Sequence, residues 1–276
     1  TKTDWVKLTL GNKSGNDEEY YTGIGISPLH NDTDMIEEEL RLVRASLGES
    51  FDKIRFFGAG IGSPVIAGKM ESILSEMFSC RDIKAESDMA GAAIALLGNK
   101  PGITCIMGTG SNSCHYNGEV IDMKSASLGY LLDDEGGAVA FCRRLLADVY
   151  KEILPKELIE EFNSRYSLTV SDVVNNLYRK PSPNRWISSF MPFLIDHFAN
   201  PYIQSLLENQ TEYFFNREFV AYSEKELTEE GIGFVGSVAY ELKPILEAAM
   251  LKRGWKLRAI VKKPLSSLIE IFKNID

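Results

Sequence analysis

Ile103-Thr104-Cys105-Ile106-Met107 runs without a break into Gly108-Thr109-Gly110-Ser111-Asn112-Ser113. A short apolar run rich in β-branched residues reads as a buried strand, and the glycines that follow it as a tight turn. Outward from this stretch the same unit recurs twice. Ile54-Arg55-Phe56-Phe57 enters Gly58-Ala59-Gly60-Ile61-Gly62-Ser63, and Ile232-Gly233-Phe234-Val235 enters Gly236-Ser237-Val238-Ala239, ahead of a helix expected to run through Met250. Strands that feed glycine turns and then helices indicate an α/β fold, with ligands at the carboxyl ends of the strands.

Around these units the pattern is simpler. Trp5–Leu10 reads as a strand, Gly11–Asp17 as a hairpin turn and Tyr20–Ile26 as renewed extended chain. Ile36, Leu40, Val43 and Leu47 recur at helical spacing, which predicts a helix over Thr33–Leu47 with Thr33 as N-cap and Gly48 as stop. From about Gly136 to Tyr222 the chain reads as mainly helical. Leu145, Leu146, Val149, Ile153 and Leu154 form one apolar face, and Phe190, Phe193, Leu194 and Phe198 another.

Composition excludes several classes. The 276 residues carry a net charge of −9, with 25% charged and 44% hydrophobic residues, an ordinary globular balance. A nucleic-acid binder shows a basic stripe. The nearest candidate, Lys252, Arg253, Lys256, Arg258, Lys262 and Lys263, reads as a solvated face, so no nucleic-acid partner is expected. No apolar run reaches the ~18 residues of a membrane span. Cys80, Cys105, Cys114 and Cys142 form no C-x-x-C pair, and three histidines lack ligand spacing. Reduced thiols in a cytoplasmic protein, without a zinc site, are therefore expected. The chain opens at Thr1 without an initiator methionine, as if a leading segment preceded it.

Four stretches hold candidate chemistry. Gly108–Asn112 can gather successive N–H groups into an anion-binding concavity, with Thr109 and Ser111 adding hydroxyls; the plain alternative is a hairpin turn. Asp88, after Glu86-Ser87 and before the small-residue run Met89–Gly98, reads either as an N-cap or as a carboxylate poised as general base. Asp133-Asp134-Glu135, between Leu128-Gly129 and Gly136-Gly137, suits sugar hydroxyls or the water ligands of Mg²⁺, or is an exposed acidic turn. Gly236-Ser237 stands at a strand-to-helix turn, a common nucleotide position, or is a tight turn alone.

With these motifs in order, the chain resembles the N-acetylglucosamine kinase-like branch of the BadF/BadG/BcrA/BcrD-type ATPases, within the actin, Hsp70 and sugar kinase superfamily. Thr1-Lys2-Thr3-Asp4-Trp5 is similar to the tail of that family's first phosphate loop. Ser27-Pro28 resembles its Asn-Pro substrate segment, Phe57–Gly60 its Tyr-Gly-Ala-Gly turn, Glu86–Asp88 the segment carrying its base, Gly108–Cys114 its second phosphate loop and Gly233–Ala239 its adenosine motif. The resemblance implies two ribonuclease H-like, actin-like ATPase domains with a cleft between them. They would span residues 1–107, with a closing helix at 264–276 packed back on it, and 108–263 with a helical insertion. It implies ATP and Mg²⁺ as cofactors, an amino sugar as partner and a homodimer as a common assembly.

The same resemblance assigns roles. Asp88 is the catalytic base. Ser27, Thr109, Asn112, Gly129 and Asp134 line the sugar. Thr1, Lys2, Thr3 and Gly110 contact phosphates, and Gly236 and Ser237 the adenosine. This chain departs from the family's pattern where Ser27 replaces asparagine and Asp133 replaces glycine. Two other readings stay open: a BadF-type ATPase without sugar kinase activity, and a non-catalytic nucleotide or sugar sensor.

Overall fold

The computed structural model describes residues 2–12, 15–29 and 31–274. The chain divides into two compact units, residues 1–98 with 264–276, and residues 99–263. The division falls after Gly98 rather than after Met107, because the strand Gly102–Met107 is the middle one of the second unit's sheet.

In the first unit, β1 (Lys2–Asn12) and β2 (Gly15–Ile24) pair antiparallel with Trp5 opposite Tyr21, so both strands reach further than the Trp5 start and Gly11–Asp17 turn expected for them. α1 (Thr33–Leu47) buries Ile36, Leu40, Val43 and Leu47, as its spacing predicts. Its N-cap is Asp32, one residue before the expected Thr33, since the Asp32 carboxylate accepts the Met35 N–H. β3 (Lys53–Gly58), α2 (Pro64–Met77) and β4 (Asp82–Ser87) form a parallel strand–helix–strand unit, with Gly58 opposite Ser87. α3 (Asp88–Leu97) leaves β4 directly. Leu40, Phe56, Met70 and Leu74 centre the core.

Ser87, rather than Asp88, caps α3, accepting the Ala90 N–H on its hydroxyl, while Asp88 is the first helical residue. Ser87→Ala is expected to lower stability by about 1 kcal/mol, readable as a shift in denaturant midpoint at constant slope. An unchanged midpoint would show that the cap contributes nothing.

In the second unit β5 (Gly102–Met107), β6 (Ser111–Tyr116) and β7 (Ile121–Lys124) run antiparallel. The helical stretch follows as α4 (Ala138–Tyr150), α5 (Lys156–Tyr166), α6 (Val170–Tyr178), α7 (Pro183–Ser188), α8 (Met191–Asp196) and α9 (Pro201–Glu218). A π-helical turn at Glu226–Glu230 then leads into β8 (Ile232–Val235), α10 (Ser237–Glu241), α11 (Lys243–Arg253) and β9 (Leu257–Val261). The single helix expected through Met250 is thus two. Pro244 lacks an N–H and its ring crowds the preceding turn, so the helix breaks at Leu242.

The sheet order is β7-β6-β5-β8-β9, with β8 and β9 parallel to β5. Three consecutive antiparallel strands and two parallel ones beyond the first make the ribonuclease H-like arrangement. The first unit holds the same two ingredients, an antiparallel and a parallel pair, as separate sheets, with no strand among the described residues joining them. α12 (Leu265–Lys273) packs on α3 and β1.

α4 buries Leu145, Leu146 and Val149, and Leu154 beyond it is buried too, but Ile153 lies past its end and is exposed. Phe162, Phe190, Phe193 and Tyr166 stack edge and face in the helical layer, and Phe215, Phe219 and Phe234 join that layer to the sheet. The basic run is partly neutralised: Arg253 and Lys252 both pair with Glu212, and Lys262 with Glu241. No helix among the described residues is long and apolar enough to cross a membrane.

Candidate functional site

The strand ends of each unit gather the candidate residues. In the first unit, the register that sets Gly58 opposite Ser87 makes the Gly58–Gly60 turn and Asp88 leave their strands side by side. Asp88 is exposed and accepts the Met89 N–H on Oδ1 at 2.9 Å. Ser27 lies against the same turn, since a Cβ at Gly60 would stand 2.7 Å from its hydroxyl. The Ser27 Oγ is buried and has no hydrogen-bond partner among the described residues. The Ser27 N–H donates to Asn31 at 2.7 Å, and Thr3 accepts the neighbouring Ile26 N–H on its hydroxyl at 2.9 Å. Thr3 and the exposed Lys2 sit at the start of β1; Thr1 lies outside the described residues.

In the second unit, three segments converge at the carboxyl ends of β5 and β8. The first is the turn Gly108–Asn112. Its Ser111 N–H donates to Asp134 Oδ1 at 3.0 Å, and the Ser111 hydroxyl accepts the Gly136 N–H at 2.9 Å. Asp134 adopts the left-handed region at φ 64°, which aspartate tolerates better than most residues, and so turns its carboxylate back onto Gly110. A Cβ at Gly110 would meet that carboxylate at 2.6 Å, so only glycine fits. Burial pushes the Asp134 pKa up and Asp133 and Glu135 add to this, while the Ser111 amide offsets part of it.

The second segment is the loop from Gly129 to Gly137. Gly129, at φ 74°, accepts the amides of Leu132 and Asp133, and the Leu128 N–H donates to Asp133. Asp133 thus closes the loop on itself. α4 starts at Gly137 without a side-chain cap, and its first amides, from Ala138 and Val139, donate instead to the carbonyls of Gly108 and Thr109, at 2.9 and 3.1 Å. The end of the helix therefore holds the turn by its carbonyls and leaves its amides facing elsewhere. Among the described residues the Thr109 and Gly110 N–H groups donate to nothing. Adjacent free amides at a glycine turn are an anion-binding arrangement.

The third is Gly236-Ser237. Gly236 has φ 129° and ψ 165°, and a Cβ there would stand 2.1 Å from the Met107 carbonyl oxygen, which brings this turn against the start of the first. Ser237 is exposed. Asn112 uses its side-chain oxygen to accept the Ser113 N–H at 2.8 Å.

The sequence singled out Thr109, Gly110, Asn112, Gly129, Asp134, Gly236 and Ser237, and the second unit collects them at one end of its sheet. It did not single out Ser111 as the brace to Asp134 and Gly136, although the residue lies inside the glycine motif. Among the described residues no group of three metal-ligating side chains occurs. Cys105, Cys114 and Cys142 are buried and unbridged, and burial pushes the Cys114 thiol up to about 12.

No protein-family model matches the chain, and no curated protein matches it. Solved structures do. A candidate N-acetylglucosamine kinase from Porphyromonas gingivalis is 33% identical, with a TM-score of 0.89 over 99% of this chain and 95% of that one. Another from Chromobacterium violaceum is 15% identical, with a TM-score of 0.67 over 97% of this chain and 98% of that one, and shares the fold. MreB5 of Spiroplasma citri bound to ADP is 13% identical over 93% of this chain and 78% of that one, at a TM-score of 0.48. One third identity over nearly the whole of both chains, on a ribonuclease H-like sheet with glycine turns at its strand ends, decides the matter: the chain belongs to the N-acetylglucosamine kinase-like family.

Proposed function

We propose that the protein transfers the terminal phosphoryl group of ATP to the 6-hydroxyl of N-acetylglucosamine or a related amino sugar, with Asp88 as general base. The observation that carries this reading is the pair of adjacent amides, Thr109 and Gly110, left without acceptors in a turn braced by Ser111 and Asp134. Phosphoryl transfer asks little covalent chemistry of a protein; it asks for positioning and for neutralised charge. Two amides held open by a rigid turn supply both to a phosphate oxygen. Gly110, with Thr1, Lys2 and Thr3 from the first unit, is assigned to the phosphates, and Gly236 and Ser237 to the adenosine.

Asp88, exposed at the first position of α3, is assigned the proton of the attacking hydroxyl as the oxygen–phosphorus bond forms and ADP departs. A helix N-terminus favours negative charge beside it. Asp134 has Oδ1 engaged by the Ser111 amide; Oδ2 is left to accept a sugar hydroxyl, beside Thr109, Asn112 and Gly129, with Ser27 from the first unit. Mg²⁺, when bound, offsets charge on the nucleotide phosphates. An ion of that kind needs only one or two carboxylates besides phosphate and water.

The test is an ADP-release assay on the full chain with N-acetylglucosamine, glucosamine, N-acetylmannosamine and glucose. ADP release is expected to rise on adding an amino sugar. Release indifferent to every sugar would reject the kinase reading in favour of an ATPase, and no release at all in favour of a sensor.

A further inference from the structure

A carboxylate that the proposed chemistry does not use lies beneath the sugar side of the second unit. Glu218, the last residue of α9, is 7% exposed and sits among Phe214, Phe215 and Phe219. A carboxylate placed there costs more than a leucine of similar size would, and the cost is offset only by its hydrogen bonds. Its side-chain bond runs to β6, which carries one of the sugar candidates. The Ser113 hydroxyl donates to Glu218 Oε1 at 2.5 Å and accepts the Tyr222 hydroxyl at 2.6 Å. The Ser125 N–H in turn donates to the Ser113 carbonyl at 3.2 Å.

Ser113 follows Asn112 on β6, and Ser125 opens the segment that leads to Gly129 and Asp134. We propose that Glu218 is a positioning residue for the sugar, a carboxyl that holds Ser113 of β6, the residue onto which the 125–134 segment is itself bonded, and so sets the spacing of Asn112, Gly129 and Asp134. This rests on the sugar kinase reading and deepens it. Burial, together with the charges of Asp133 and Asp134, pushes the Glu218 pKa up, against the pull of the Ser113 hydroxyl. A group under that pressure is held in place by geometry, not by charge pairing. The Thr109 and Gly110 amides, assigned to phosphate, make none of these bonds.

Steady-state kinetics on the full chain test this, with whichever sugar the wild type phosphorylates, varying sugar at saturating ATP and then ATP at saturating sugar. Glu218→Leu is expected to raise KM for sugar by about tenfold while KM for ATP stays within about twofold, the scale of losing a buried hydrogen-bond acceptor. Glu218→Gln keeps an acceptor oxygen for the Ser113 hydroxyl and is expected to restore KM for sugar to within about threefold of wild type. An unchanged KM for sugar in the leucine variant, an equal rise for both substrates, or a glutamine variant as impaired as the leucine one would each overturn the proposal. Should the leucine variant lose its thermal unfolding transition, Ser113→Ala and Tyr222→Phe each remove one hydroxyl and decide by the same split. A wild type that phosphorylates no sugar rejects the kinase reading and this proposal together; an active wild type with an unmoved leucine variant rejects the proposal alone.

Discussion

Asp88→Asn is expected to lower turnover by about 100-fold or more, the usual scale for losing a general base. Asparagine is isosteric and keeps an oxygen to accept the Met89 N–H, so the start of α3 survives the change. What it loses is the capacity to take a proton. Because Ser87 rather than Asp88 caps the helix, the variant is expected to remain folded. The two expectations are checked on one sample, by ADP release and by thermal unfolding. A folded variant with wild-type turnover would remove Asp88 from the chemistry.

Gly236→Ala is expected to destabilise the second unit by about 3 kcal/mol and to abolish nucleotide binding at accessible concentrations. The backbone at φ 129°, ψ 165° is a region that only glycine occupies without strain, worth about 1–3 kcal/mol. The new methyl would also stand 2.1 Å from the Met107 carbonyl oxygen, so β5 and β8 must part where the two glycine turns meet. Overpacking of that kind adds about 1–3 kcal/mol. Thermal melts and an ATP titration read both effects. A variant with an unshifted melt and unchanged affinity would show that the turn yields without consequence.

Much of the architecture was legible because it is local. The strands ahead of Gly58, Gly108 and Gly236 are short apolar runs, and the α1 stripe of Ile36, Leu40, Val43 and Leu47 repeats at helical spacing. Legibility ended where one atom's direction or a distant partner decides. Asp32 and Ser87 act as caps because their side-chain oxygens reach amides three residues on; composition cannot distinguish them from the neighbouring Thr33 and Asp88, which are equally good cap residues. β9 was read as part of a basic face, since Arg258 and Lys262 obscure the apolar Leu257, Ala259 and Ile260 around them. The candidate site divides the same way. Its glycines were visible as motifs, but Glu218 ends a helix and reads in sequence as surface, and its partner Ser113 is 105 residues away.

The capping of α4 by the carbonyls of Gly108 and Thr109 has a mechanical meaning. A glycine-rich segment has little stiffness of its own, so this one borrows it from a thirteen-residue rod that is itself wedged into the helical layer. Loosening that layer, even at a distance, would slacken the segment proposed to meet the nucleotide.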